Sequence, residues 1–308
     1  MALSYPPVSP SLTGDVLTIS RFLSQPTAVN RRLRTLAENR FIADVLLSGR
    51  VEGSSILYET DESIYAADAP EIIAPGAQYP RTLAPTGTAL VANPAKWGDE
   101  IPITDEEIGR FRGQVVERNL QKLVNYLVYT VDTNALAVIA AQVTASIAAI
   151  AAWNVPATAN PLLDLLRAKA TVRATNKGYE PNVVAVDDFA FAYLAGNMNL
   201  LATMAREAGT TVSMSGELPV IAGLTIMPTP NLPTAGTAIV CDTSALGSLG
   251  YENIPSPEYQ GGAEGVQTQT RRNPQGNDEW LVRVRRSVVP IVQEPGAACK
   301  ITGMGTLT

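Results

Sequence analysis

The side chains that could do chemistry in this sequence are carboxylates and arginines, because its 308 residues include no histidine. Without an imidazole that titrates near neutral pH, neither a Ser-His-Asp nor a Cys-His nucleophile system can be built. Zinc sites that use histidine are excluded for the same reason, and two cysteines cannot complete a tetrahedral thiolate site. Cys241 and Cys299 therefore read as buried, reduced thiols. No GxxxxGK[ST], GxGxxG or GxSxG occurs, so phosphate loops and nucleophile elbows have no support. No cofactor and no metal site is expected.

Two groupings remain. Asp187 and Asp188 follow an apolar run, where an α/β enzyme could keep an acid or a metal ligand. The other reading is that the pair caps the next helix by accepting its free amides. The pairs Asp61-Glu62 and Glu106-Glu107 are explained by a loop and by a helix start. The densest basic cluster is Arg271, Arg272, Arg283, Arg285 and Arg286. Such a strand could neutralise nucleic-acid phosphates without reading sequence, although no aromatic ladder accompanies it for stacking single strands. The alternative is salt bridges to an acidic neighbour such as residues 51–80.

Patterning outlines the elements that must hold these residues. Length sets a prior of about two domains, and 46% hydrophobic against 17% charged residues argues for a folded chain. Residues 1–26, rich in Pro, Ser and Thr, read as an extended arm. Residues 27–47 read as an amphipathic helix, with Leu33, Leu36, Ile42, Val45 and Leu46 near one stripe and Arg31, Arg32, Arg34 and Arg40 mostly elsewhere. The first 50 residues carry six arginines against Asp15, Glu38 and Asp44, whereas residues 51–80 hold six acids and no base. Short β runs there, broken by Pro and Gly, suggest a long excursion in the form of a β-hairpin arm. A basic arm beside an acidic one suggests contacts between neighbouring copies; a solvated acidic loop is the alternative.

The strongest local signal is ITDEEIGRF. Thr104 stands three residues before Glu107, which is the S/T-x-x-E capping box, and three acids complement the positive end of the helix dipole. Ile108, Phe111, Val115, Leu120, Leu123, Val124, Leu127 and Val131 then recur at steps of three and four, giving a spine helix about 40 Å long. Ala135 to Trp153, mostly alanine and interrupted by Gln142, Thr144 and Ser146, reads as packed interior and not as a membrane span. MALSYPPVSPSLTGD lacks the character of a secretory signal. Asn160-Pro161 opens a second helix, NVVAV reads as a buried strand, and a third helix is expected over about Asp187 to Ala208, closing on Gly209. Strand runs in ELPVIAGLTIMPTPNLP and TAIVCD complete an α/β unit over about 145–264. GVQTQTRR and EWLVRVRRSVVPIV, separated by NPQGND, form a hairpin with Trp280, Val282 and Val284 on one face and Arg283 and Arg285 on the other.

The order of these parts resembles the major capsid protein of tailed bacteriophages with the Hong Kong 97-type fold. The pieces that carry it are ILYETDESIYAADAPEIIAPGAQYP with KWGDEIPITDEEIGRF, then NPLLDLLRAKATV with GYEPNVVAVDD, ELPVIAGLTIMPTPNLP and VRVRRSVVPIVQEPGAACKITG. Together they span nearly the whole chain, and their order and spacing carry the weight. The resemblance implies an α+β fold with an N-terminal arm and helix (1–46), an extended β-hairpin E-loop (47–88) and a P-domain with the spine helix (89–144). An α/β A-domain (145–264) and C-terminal strands of the P-domain (265–308) complete it.

The resemblance further implies self-assembly as pentamers and hexamers into an icosahedral shell, built in the host cytoplasm around double-stranded DNA held without sequence specificity. It implies a portal as partner, no membrane and no catalysis, and leaves open whether a decoration protein binds outside. Some members of the family crosslink an E-loop lysine to a neighbour's asparagine. Residues 47–88 contain no lysine and the first in the chain is Lys96, so a non-covalent shell is expected. About 45 residues precede the E-loop, too few for the large helical scaffolding extension of some members, so a separate scaffolding protein is expected. Assembly contacts are expected from Arg31, Arg32 and Arg34 in the arm and from Glu59, Asp61 and Glu62 on the E-loop. Two other readings are an encapsulin-type compartment, which shares the fold but packages enzymes, and a carboxylate-dependent hydrolase resting on Asp187 or Asp188.

Overall fold

The computed structural model describes residues 19, 22–25, 27–29, 31–32, 41–111, 113–155, 157–197, 220–261 and 265–305. After helical turns in the arm, the chain forms α1 (Ile42–Leu46), β1 (Gly49–Glu52), β2 (Ile56–Thr60), β3 (Thr88–Ala92) and β4 (Ala95–Thr104). Two helices follow, α2 (Asp105–Phe111) and the 30-residue spine α3 (Gly113–Gln142). Next come β5 (Ser146–Ala148), α4 (Pro161–Arg173), β6 (Val183–Val186), α5 (Asp188–Ala195), β7 (Thr225–Pro228) and β8 (Ala238–Cys241). The chain closes with β9 (Gly247–Tyr251), β10 (Gln260–Gly261), β11 (Val266–Arg272), β12 (Glu279–Val292) and β13 (Ala298–Thr302).

The capping box at the start of α2 is formed reciprocally. The Glu107 amide donates to Thr104 Oγ1 at 3.3 Å and the Thr104 amide donates to Glu107 Oε2 at 3.4 Å. At about 1.5 Å per residue α3 is about 45 Å long. By length and composition it could cross a membrane, but its apolar face packs against β4 and β12. Val115, Leu120, Leu123, Val124, Leu127, Val131, Leu136 and Ile139 are all buried there, each worth about 1.5–3 kcal/mol. Burial, more than helix propensity, therefore holds the spine in place.

Two sheets flank this helix. In the first, the N-terminal part of the 14-residue β12 lies between β4 and β11, and from Val288 onward β12 pairs antiparallel with β9. β9 approaches so closely that a Cβ on Gly247 would lie 2.1 Å from the Ile291 carbonyl oxygen. The second sheet has the order β5-β13-β8-β6-β7. Val183 and Ala185 of β6 face the core shared with the spine, whereas Val184 and Val186 face the core formed with α4 and α5. Burial on both faces explains why NVVAV reads as an unbroken apolar run. β2 and β3 form a separate two-stranded hairpin.

Several expectations change. The helix expected over 27–47 is interrupted at Phe41, whose backbone is extended (φ −82°, ψ 109°), and restarts at Ile42. Ile42 is half-buried, Leu46 is buried and Val45 is 40% exposed, while Leu33, Leu36 and Arg40 lie outside the described residues. The arm is not extended throughout, since Ile19, Phe22 and Leu23 are helical and buried in the main core. The third helix ends at Ala195 in a turn at Gly196 instead of reaching Ala208; residues 198–219 lie outside the described residues. Ala135–Trp153 divides between the end of α3 and the mostly exposed β5. Sheet membership also crosses the expected divisions, because β9 and β10 join the β12 sheet and β13 joins the sheet of β6 and β8.

Candidate assembly surfaces

The β2–β3 hairpin carries residues 61–87 away from both sheets. Its root is pinned by Ile56 and Ala92 packing on Ile291. Beyond that root apolar side chains meet no core: Leu57, Ile64, Tyr65, Ile72, Tyr79 and Leu83 are exposed, Leu57 at 72% and Leu83 at 78%. Large apolar groups left in water along one projecting hairpin are the pattern expected of a surface that another molecule covers.

Near its root the hairpin is tied to the α4–β6 turn. Lys177 Nζ donates to Asp61 Oδ1 at 2.7 Å, to the Glu62 carbonyl at 3.1 Å and to Glu294 Oε2 at 3.3 Å. The Tyr65 hydroxyl donates to the Asn176 carbonyl at 2.6 Å. Burial pulls the Lys177 pKa down, but Asp61 and Glu294 outweigh it and hold the ammonium above its ordinary range. Asp61 itself adopts φ +53°, the left-handed region that Asp tolerates better than most residues.

Among the described residues the two charged sets have separate partners. Arg32 Nε donates to both carboxylate oxygens of Glu117 on α3, at 3.0 and 3.1 Å. Arg31 lies on the same helical turn, and the Arg34 side chain lies outside the described residues. Glu59, Asp61 and Glu62 are all exposed; the Asp61 carboxylate and the Glu62 backbone carbonyl accept from Lys177.

Four of the five strand arginines find partners inside the chain, and none of those partners lies in residues 51–80, whereas the buried Arg271 Nε has no hydrogen-bond partner among the described residues. Arg283 pairs with Glu100, directly opposite it across the β12–β4 ladder. Arg272 grips both oxygens of Asp105 at 2.6 and 2.7 Å, which lowers the Asp105 pKa. Arg285 stacks 3.7 Å from the Tyr259 ring centroid and donates to Gln267 at 2.7 Å and to the Ile254 carbonyl at 3.0 Å. Arg271 is half-buried. Arg286 is fully buried, so its guanidinium cannot reach a phosphate; it donates to Asp44 Oδ1 at 2.7 Å and lies 4.2 Å from the Phe41 ring centroid.

That buried cluster contains a residue the sequence reading passed over. Asp132 of α3, 1% exposed, accepts the amides of Ile42 and Ala43 at 3.1 and 3.0 Å and so caps α1. Burial raises its pKa to about 6; the two amides and Arg286 oppose that rise, and Asp44 adds to it. Asp164 plays a similar part elsewhere, accepting from the Ile150 amide at 3.1 Å and Trp153 Nε1 at 3.0 Å. Both are acids placed among apolar positions of a helix, and that placement is the signal that could have found them.

Asp187 occupies the N-cap position of α5 with no side-chain cap bond, and Asp188 stands in the first turn. Among the described residues no group of three or more Cys, Asp or Glu could hold a metal ion. Cys241 and Cys299 are free and buried, and burial pushes their thiols up to about 12 and about 11.

A body built around one long helix, with an apolar and acidic hairpin that its own core leaves uncovered, defines a subunit made to contact other subunits. The family model described as phage capsid protein matches residues 87–301. The chain belongs to the phage capsid protein family, as a major capsid protein of the tailed-bacteriophage type with the Hong Kong 97-type fold. It is a structural protein of the virion capsid, which is assembled from copies of it. No curated protein matches it in sequence. Among solved structures it is similar to the capsid of cyanophage P-SCSP1u, with 15% identity and a TM-score of 0.63 over 85% of this chain and 88% of that one. A structure from Microbacterium phage Oxtober96 gives 13% identity and 0.58, over 85% and 90%. An encapsulin from Synechococcus elongatus gives 12% identity and 0.51, over 84% and 85%. The fold is thus common to phage shells and encapsulins, and it is the family match that favours the phage capsid.

Proposed function

We propose that the chain assembles as pentamers and hexamers into an icosahedral, non-covalent shell around double-stranded DNA, in the cytoplasm of its bacterial host. The observation that carries this reading is the hairpin over 56–92, whose apolar side chains find no cover in their own chain. In this reading the hairpin is the E-loop (47–88), the spine and the β12 sheet form the P-domain (89–144 and 265–308), and residues 145–264 form the A-domain. Strand pairing supports moving β9 and β10 to the P-domain and β13 to the A-domain. The role is structural with no catalytic step. A separate scaffolding protein and a portal are its partners, with a decoration protein as an optional outer one.

Absence of lysine from residues 47–88 supports a shell without covalent crosslinks. Sedimentation velocity of the purified chain at moderate salt, with electron micrographs of the fastest fraction, tests the assembly. Closed shells or discrete pentamers and hexamers are expected, and these should dissolve to single chains on a boiled denaturing gel. A chain that stays monomeric with its scaffolding protein present would overturn the reading.

A further inference from the structure

We infer that the outer face of α2 and α3 binds the phosphate backbone of duplex DNA through Arg110, Arg118 and Lys122; this rests on the shell-around-DNA reading above. All three are exposed, and none makes an ion pair or hydrogen bond among the described residues. Arg118 and Lys122 are four residues apart and so stand on one helical stripe. Gln114 and Gln121, also exposed, fall on the same side, where neutral donors can reach phosphate oxygens. Tyr126 and Tyr129, 62% and 55% exposed with ring centroids 6.5 Å apart, add two hydroxyl donors.

No free acid of the spine offsets this face. Its two carboxylates are both engaged elsewhere, Glu117 by Arg32 and Asp132 by the amides of α1. Two exposed acids border it, Asp99 beside Tyr126 and Glu106 at the start of α2. In a chain of net charge −6, a helix face with three cations that have no partner among the described residues is not background. Four of the five strand arginines compete poorly, since Arg272 and Arg283 are paired with carboxylates, Arg285 is stacked and hydrogen-bonded, and Arg286 is buried; the fifth, Arg271, is half-buried and stands alone among the described residues. A polyanion therefore meets less internal competition at the spine than at the strand.

The test uses the purified full-length chain and a fluorescent 30-base-pair duplex of random sequence, with anisotropy followed from 50 to 200 mM salt. Each neutralised phosphate contributes about 0.9 to the salt slope, so Arg110→Gln/Arg118→Gln/Lys122→Gln should flatten the slope by about 2 to 3. Over that salt range the wild type should then lose about 40-fold more affinity than the triple variant. The control Arg271→Gln/Arg285→Gln should keep the wild-type slope. A wild type that does not bind the duplex at 50 mM overturns the inference. So does a triple variant with an unchanged slope, or a control that loses as much. Binding of a peptide of residues 51–80 that is lost in the triple variant, with the duplex isotherm unchanged, would assign the face to an acidic protein segment instead. Micrographs of the same preparations separate the two readings: shells without the slope change remove this inference alone, whereas the lack of any assembly counts against the shell.

Discussion

Asp132 shows how one side chain can link remote parts of the molecule. It lies on the buried face of the spine and binds the start of α1, while Asp44 and Arg286 face it from α1 and β12. Its pKa is raised from 3.8 to about 6, so between those pH values the folded chain holds a proton that the unfolded chain has already released. Stability from this group is therefore greatest in acid and is lost as pH rises from about 4 through 6. Between pH 5 and 7.5 the loss should be about 1.4 kcal/mol. Guanidinium unfolding of Asp132→Asn at the two pH values should show that part of the pH dependence removed; an unchanged dependence would place the titration elsewhere. Arg286 is the other critical residue. Arg286→Met removes the 2.7 Å partner of Asp44 but leaves it Arg50 at 3.6 Å, and should cost about 2 kcal/mol in the same assay.

At the scale of elements, close approach and capping decide what forms. Gly247→Ala places a methyl group against a backbone oxygen that cannot move without parting β9 from β12. A destabilisation of about 3 kcal/mol is expected by thermal unfolding. Thr104→Ala removes one side of the capping box and should cost about 1 kcal/mol. A loss of less than a few tenths would mean that packing of Ile108 alone starts α2.

For the whole molecule, stability and assembly should separate. Leu57→Ser with Leu83→Ser replaces side chains that the single chain leaves in water, so subunit stability should change by less than about 0.5 kcal/mol. Sedimentation should nevertheless show weaker assembly. Reversing the charges of Glu59, Asp61 and Glu62, or of Arg31, Arg32 and Arg34, should also weaken assembly, and combining the reversals should partly restore it. The Arg32 member carries an internal cost, because it also breaks the bond to Glu117; melting curves of the unassembled chain will show how much of the effect is local.

Much of the architecture was legible because it depends on near neighbours in sequence. The capping box, the three-and-four spacing of the spine, the Asn160 cap whose side chain accepts from the Leu163 amide, and the β11–β12 hairpin all follow from contacts within a few residues or across one short turn. The absence of histidine and the segregation of charge were equally plain in the sequence. What tertiary structure alone decided lies across long separations. Arg286 and Asp44 stand 242 residues apart, Asp132 and Ala43 stand 89 apart, and β13 crosses to pair with β5 and β8. Arg283 and Arg286 are close in one strand, yet alternation and partner choice send the first to Glu100 on one face and the second into the core. Local composition could name these residues as basic, but which charge each would meet depended on strands brought together by burial, and burial is a property of the folded whole.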